Sequence, residues 1–235
     1  MTNLFSSFDP TVSIMSMSLS LNWLAASISV LFLPQTYWLV NSQIIKSFLK
    51  VMFYLKEELS AVFGATAMPG TIYIYISIFF FILFSNFMGL MPYIFTSTSH
   101  LSMTLCLSLP LWIGSMVWSI VFQYNSLLAH LVPTGTPSFL MPVMVVIETV
   151  SNVIRPATLT IRLPANMVAG HLLLTLLGSQ GPALGFLMLM GLFVGLVLLL
   201  LLEVAVACIQ SYVFTILSSL YLNELMGVGF NKKMV

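Results

Sequence analysis

Charge is the scarcest commodity in this sequence. Only 6% of its 235 residues are Asp, Glu, Lys or Arg, where a soluble domain carries about 25%. So few ionic groups cannot clothe a water-exposed surface, which excludes an ordinary soluble domain. Seven Lys and Arg nearly balance six Asp and Glu, so no basic face exists for a nucleic acid. Cysteine is equally sparse. Cys106 and Cys208 stand alone in apolar segments without metal-ligand spacing, and are expected to be buried free thiols rather than a disulfide. No metal site and no cofactor motif is expected. The amino-terminal MTNLFSSFDP has neither a basic leader nor an Arg-rich amphipathic stretch, so neither a signal nor a transit peptide is read there. A chain this hydrophobic without a targeting segment is expected to insert where it is made. Asn-x-Ser/Thr sites and internal repeats are also missing. A secondary transporter built from repeated halves with paired broken helices finds no support in this pattern.

What is present is apolar sequence. Hydrophobic residues make up 60% of the chain and the mean hydropathy is +1.09, the composition of an integral membrane protein. A hydrocarbon core of about 30 Å needs about 20 helical residues. The runs 12–33, 72–91 and 102–122 are therefore expected to be the first, second and third spans, the third kinked at Pro110. Between the first two, residues 41–62 interleave Lys46, Lys50, Lys56, Glu57 and Glu58 with apolar side chains, the mixture of a helix lying in the membrane interface. Pro69-Gly70 breaks the chain after it, and Pro133, Gly135 and Pro137 mark a loop. His100 and His130 are read as ordinary loop residues.

Two longer runs follow, 139–178 and 186–225. Forty helical residues measure about 60 Å, twice the hydrocarbon thickness. A mismatch tilt of about 20° cannot absorb that length, so a steeply tilted hairpin lying along a partner surface is expected. The first ten residues or so after Gly181 are expected to belong to its loop. The reading is an all-α integral membrane protein forming a single domain, with about five membrane-embedded helices and one interfacial amphipathic helix. Five crossings place both lysine-bearing segments, 41–62 and the tail with Lys232 and Lys233, on one side and the amino terminus on the other.

Within the first long run, ETVSNVIRPATLTIRLPANMVAGHLLLTLLG (148–178) concentrates polar residues. Glu148, Arg155 and Arg162 recur at every seventh position, so on a helix they lie within about 40° of one another. Ser151, Thr158 and Asn166 join that stripe, and His171 falls on the opposite face from Arg162. The second run carries Glu203, Gln210 and Glu224 among leucines and valines. Ionisable residues inside spans cost about 2.5–3.5 kcal/mol each on insertion scales. Their grouping suggests two water-accessible pockets, Glu148 with Glu224 and His171 with Glu203, on either side of Arg162 and Gln210. Proton chemistry suits these types. Imidazole titrates near neutral pH, whereas an arginine attracts a carboxylate and does not relay a proton. Arg155 is assigned a structural or interfacial role only.

The 148–178 segment, together with CIQSYVFTIL, NFMGLMPYIFTSTSHL and HLVPTGTP, resembles the a subunits of mitochondrial F-type (rotary) ATP synthases, in their mitochondrially encoded animal form. The likeness covers nearly the whole chain. It implies a non-catalytic proton-translocating stator of the membrane sector, in the mitochondrial inner membrane. Its implied partners are the rotating c-ring, other membrane-sector and peripheral-stalk subunits, and the lipid bilayer, and its cargo is the proton. Carried over by motif, Arg162 matches the essential arginine facing the c-ring. His171 and Glu203 match an outer half-channel pair, Asn166 and Gln210 match polar neighbours of the arginine, and Asn86 matches an outer-channel asparagine more loosely. Glu148 and Glu224 match the matrix half-channel. Pro164 departs from the family pattern two residues after the arginine, and the tail beyond Glu224 is longer than the pattern.

Overall fold

The computed structural model describes residues 5, 8–14, 17–31, 34, 40, 42–64, 70–132, 139–183 and 185–230. Lys232 and Lys233, Pro69, and the loop prolines Pro133 and Pro137 lie outside these residues, as do parts of the 12–33 run. Six α-helices carry the described structure: α1 (Leu24–Leu31), α2 (Gln43–Phe63), α3 (Thr71–Leu90), α4 (Leu101–His130), α5 (Met141–Gln180) and α6 (Phe186–Phe230). Four of them, α3 to α6, are long and apolar enough to cross a membrane. The all-helical membrane architecture expected from composition is therefore present, with a long carboxy-terminal helix pair of 40 and 45 residues.

The amino-terminal region differs from the expected span. Val12–Ile14 and Met17–Leu19 form a small antiparallel hairpin, β1 and β2, and helix follows from Leu21, as a 3-10 turn (Leu21–Trp23) that leads into α1. The local pattern explains it. Ser16, Ser18 and Ser20 alternate with Met17, Leu19 and Leu21, a period of two that suits a strand and splits a helix face. At eight residues α1 is about 12 Å long, too short to span by itself. The chain nevertheless changes ends. Phe8 packs against His171 near the α5–α6 turn, whereas the C-terminal half of α2 packs by Phe63 against Tyr75 and by Glu58 against Tyr212.

Amphipathicity places α2. Leu55, Leu59 and Phe63 are buried at i, i+4 and i+8, while Lys46, Lys50, Glu57 and Glu58 are exposed. Ser42 caps its amino end by accepting a hydrogen bond from Ile45 N–H at 3.4 Å. The buried face joins Ile72, Tyr75, Ile76, Phe79 and Phe80 of α3 in the larger core cluster. A second cluster, Ile82, Leu159, Leu163 and Phe214, ties α3, α5 and α6 together. Helices α2, α3, α4 and α5 all pack on α6.

Three further expectations need correction. Helix α4 runs unbroken through Pro110 and on to His130, so His130 ends a helix rather than sitting in a loop. His100 does sit in the turn before α4, but not as an ordinary loop residue: it packs against the rings of Trp23 and Phe95, 5.2 and 5.1 Å away, with Nε2 buried. Cys106 and Cys208 are free, as expected, but exposed on the flanks of α4 and α6. An apolar sequence environment in a membrane protein means lipid or a partner as often as core.

The α5–α6 hairpin is also offset. Folded symmetrically about 181–185, it would set Asn166 opposite Leu200; instead Asn166 faces Gln210. The last helix thus runs about ten residues, some 15 Å, beyond the end of its partner. That overhang is helical from Phe186 onward, not the extended loop expected after Gly181. Leucine and methionine are strong helix formers, phenylalanine and valine add apolar surface, and no proline interrupts the stretch, so the helix continues through it.

Candidate functional site

One face of α6 orders the polar residues. Glu203, Ala207, Gln210, Phe214 and Ser218 are all buried at spacings of three and four, the stripe that a helix presents to its neighbours. Along it Glu203 stands about 10 Å from Gln210, and Gln210 about 21 Å from Glu224. Helix α5 lies against one side of this stripe and α3 against another.

At the hairpin end Glu203 is 6% exposed and both carboxylate oxygens are buried without a hydrogen-bond partner among the described residues. The carboxylate fits because residue 170 is glycine. A Cβ at Gly170 would stand 1.9 Å from Glu203 Oε1 and 2.7 Å from its carboxyl carbon. The next residue, His171, is half-buried with Nε2 unpartnered and meets the Phe8 ring edge-on at 6.3 Å between centroids. It lines a cavity of about 910 Å³ with Asp9, Thr11, Asn22, Tyr93 and Thr175. Asn86, fully buried in α3, donates its amide N–H to the Ala207 carbonyl at 3.4 Å. The structure thereby brings Asn86 to the turn of α6 that follows Glu203. Leaving a buried polar group unpartnered costs about 1–3 kcal/mol, so these groups are a poor choice for packing alone.

In the middle, Asn166 Nδ2 donates to Gln210 Oε1 at 3.1 Å and locks the two helices in register. Arg162, one turn earlier on α5, is exposed and makes no ion pair among the described residues. Its neighbours Leu159 and Leu163 point into the core, so the guanidinium stands on the flank of the bundle. A cation at membrane depth is costly unless water or a polar or anionic group meets it. Pro164 is buried within an unbroken α5. Upstream, the Thr160 hydroxyl donates to the carbonyls of Ala157 and Pro156, at 2.7 and 3.0 Å.

The α2 end is organised differently. Arg155 makes a close charged hydrogen bond from Nη1 to Glu224 Oε2, and its Nη2 lies 3.9 Å from Glu148 Oε1. The guanidinium carbon sits 5.3 Å from the centroid of the Tyr221 ring, a cation–π contact. These four residues line a small cavity of about 50 Å³ with Asn152 and Trp112. Sequence periodicity relates Arg155 to Glu148, seven residues away, but its link to Glu224 depends on the hairpin offset. Here the charge read as merely structural is the centre of the acidic pair. Gly170 went unnoticed for a related reason: a glycine beside a histidine signals nothing until a side chain from another helix is known to fill its place.

No group of three or more His, Cys, Asp or Glu with metal-binding geometry occurs among the described residues. The site is thus a set of protonatable side chains held in two groups at opposite ends of the helix pair, with an exposed arginine between them.

Comparison with known proteins places this arrangement. Residues 11–223 match the family model for the ATP synthase A chain. The ATP synthase subunit a of Drosophila yakuba and that of Drosophila simulans are each 51% identical over 224 residues, covering 95% of this chain and 99% of theirs. The corresponding protein of Locusta migratoria is 50% identical over the same shares. On that match, together with four long apolar helices and the polar groups along α5 and α6, the chain belongs to the ATP synthase A chain family.

Proposed function

We propose that this chain is the proton-conducting stator of the membrane sector of a mitochondrial ATP synthase, seated in the inner membrane against a rotating ring of carboxylate-bearing subunits. Its two half-channels are offset and meet at Arg162. The one observation that carries the reading is the separation of the protonatable groups into two clusters with an exposed Arg162, without an ion pair among the described residues, between their levels.

Protons enter from the intermembrane space at the hairpin end, past His171, Asn86 and Glu203, and neutralise a rotor carboxylate. The neutral carboxyl can pass into lipid, where a charged one cannot. After nearly a full turn it meets the α2 end and releases its proton toward the matrix by way of Glu148 and Glu224. Arg162 attracts the ionised rotor carboxylate as it passes between the two regions. Because the guanidinium stays protonated, it blocks a direct leak along the same line. Asn166 and Gln210 hold α5 and α6 in the register that sets Arg162 between the two ends. Each proton crossing supplies about 2.3 kcal/mol per 100 mV.

In this reading the chain performs no bond chemistry itself. The amino terminus faces the intermembrane space, and the carboxy terminus and the lysines of α2 face the matrix, in keeping with the positive-inside rule. The rotor supplies the partner surface that helices of 40 and 45 residues need, and further membrane-sector and peripheral-stalk subunits cover the remaining faces. The test is Arg162→Ala in the assembled complex. ATP synthesis is expected to be lost while the complex still assembles; retained synthesis would overturn the gating role, and failure to assemble would favour a purely structural charge.

A further inference from the structure

The hairpin-end cavity contains a carboxylate that the proton route above does not use. Asp9 is the sole aspartate of the chain, and it lies at the rim of the cavity that His171 lines. Its position is fixed by several contacts. The Thr11 hydroxyl donates to Asp9 Oδ1 at 3.1 Å and the Thr11 backbone N–H to the same oxygen at 3.5 Å. The Asn22 side chain donates to the Asp9 carbonyl at 3.3 Å, pinning the segment from thirteen residues away. The preceding residue, Phe8, rests edge-on against the His171 imidazole. The amino-terminal segment therefore folds over the His171 side of the cavity and holds one carboxylate there.

The surroundings give that carboxylate a one-signed field. Among the described residues the other titratable groups lining the cavity are Tyr93, from the segment after α3, and His171, from α5; of these residues α6 contributes only Leu200, and no Lys or Arg lines it. Glu203 stands behind, against Gly170. A cavity lined by charge of one sign within low-dielectric walls concentrates the opposite ion and speeds its capture.

We propose that Asp9 is the proton-collecting residue of the outer half-channel: it raises the local proton concentration at the cavity mouth and hands protons on toward His171. This rests on the reading that His171 and Glu203 take up protons from that side. Asp9 is a positioning and attracting group, and the chemistry of rotor protonation remains with the residues deeper in.

The test is passive proton flux through the reconstituted membrane sector, with its ATP-forming part removed, measured against pH and salt on the hairpin side. Asp9→Asn keeps the Oδ1 acceptor for Thr11 and removes only the charge. At pH 8 and low salt the flux is expected to fall by roughly two- to fivefold. The deficit should shrink in about 1 M salt, where the screening length is near 3 Å, and vanish near pH 6, where protons are plentiful. Asp9→Glu should restore the flux. Unchanged flux in Asp9→Asn at pH 8 and low salt would overturn the proposal. So would a deficit that ignores salt and pH and is not restored by Glu, which would mark Asp9 as a structural member of the amino-terminal segment alone. Glu203→Gln, measured alongside, separates the two levels: if it conducts normally, the outer route itself is misassigned, whatever Asp9 does.

Discussion

The two ends of the α5–α6 pair treat charge in opposite ways. At the α2 end Glu148 and Glu224 share Arg155, and the Tyr221 ring covers the guanidinium. At the hairpin end Glu203 is more deeply buried, yet neither oxygen has a partner among the described residues, and its carboxylate fills the place of a side chain at Gly170 of α5. A carboxylate paired with a fixed cation is committed to that ion pair. One with no counter-charge can change its protonation state without breaking a pair. The difference suits the roles proposed above: the acid of the outer route has no counter-charge among the described residues, and the acids of the inner route share one.

Exchanging the character of the two ends tests this contrast. The largest effect is expected from Glu203→Leu, which deletes the uncompensated acid; proton flux and ATP synthesis should fall at least about a hundredfold, the scale on which a positioned acid–base group acts, and a normal rate would remove Glu203 from the route. Next is Gly170→Ala. Its methyl would occupy the place of Glu203 Oε1, so the carboxylate must move. A loss of about tenfold in flux is expected with the complex still assembled, and Gly170→Ala combined with Glu203→Asp should recover part of it because the shorter acid vacates the contested space.

Arg155→Gln should have a smaller consequence. Arg155 and its two acids are all partly exposed, and pairs of that kind contribute about 0–1 kcal/mol. The variant should therefore assemble normally and lose only a few-fold in synthesis, with the loss insensitive to pH on the hairpin side. A collapse as deep as that of Glu203→Leu would mean that Arg155 takes part in gating itself. The smallest change belongs to Tyr221. Tyr221→Phe keeps the ring over the guanidinium and should be silent, whereas Tyr221→Leu should weaken the inner cluster by about 0.5–1 kcal/mol, readable as a small shift in the thermal stability of the purified complex.

The parts of this protein legible in its sequence were those written in one helix at a time. Periodicity and run length foretold α2 to α6 because apolar length and amphipathic spacing are local properties. The same local signal was misread at 12–33, where Ser16, Ser18 and Ser20 impose a two-residue period on an otherwise spanning composition. The polar residues of α5 and α6 were visible as anomalies in apolar runs. Their pairing was not, because it depends on how far one helix slides along the other. Ten residues of offset moved Arg155 from a stray charge to the partner of Glu224. Gly170 was silent for the same reason, its importance being set entirely by a side chain thirty-three residues later.

Because α2, α3, α4 and α5 all pack on α6, the order of synthesis works against the order of assembly. The ribosome delivers the central helix last. Until then Asn86 has no Ala207 carbonyl to meet, Asn166 has no Gln210, and the core around Ile82 and Leu163 lacks Phe214. The earlier helices have contacts of their own, α2 with α3 and α4 with α5, but those just named close only when the final helix of 45 residues arrives. Folding of this kind is slow, because distant segments must be brought together before their contacts can stabilise anything. It also makes the last fifth of the chain the centre of the finished architecture, so that a chain stopped short of Phe186 would lack not one span but the axis around which the others are arranged.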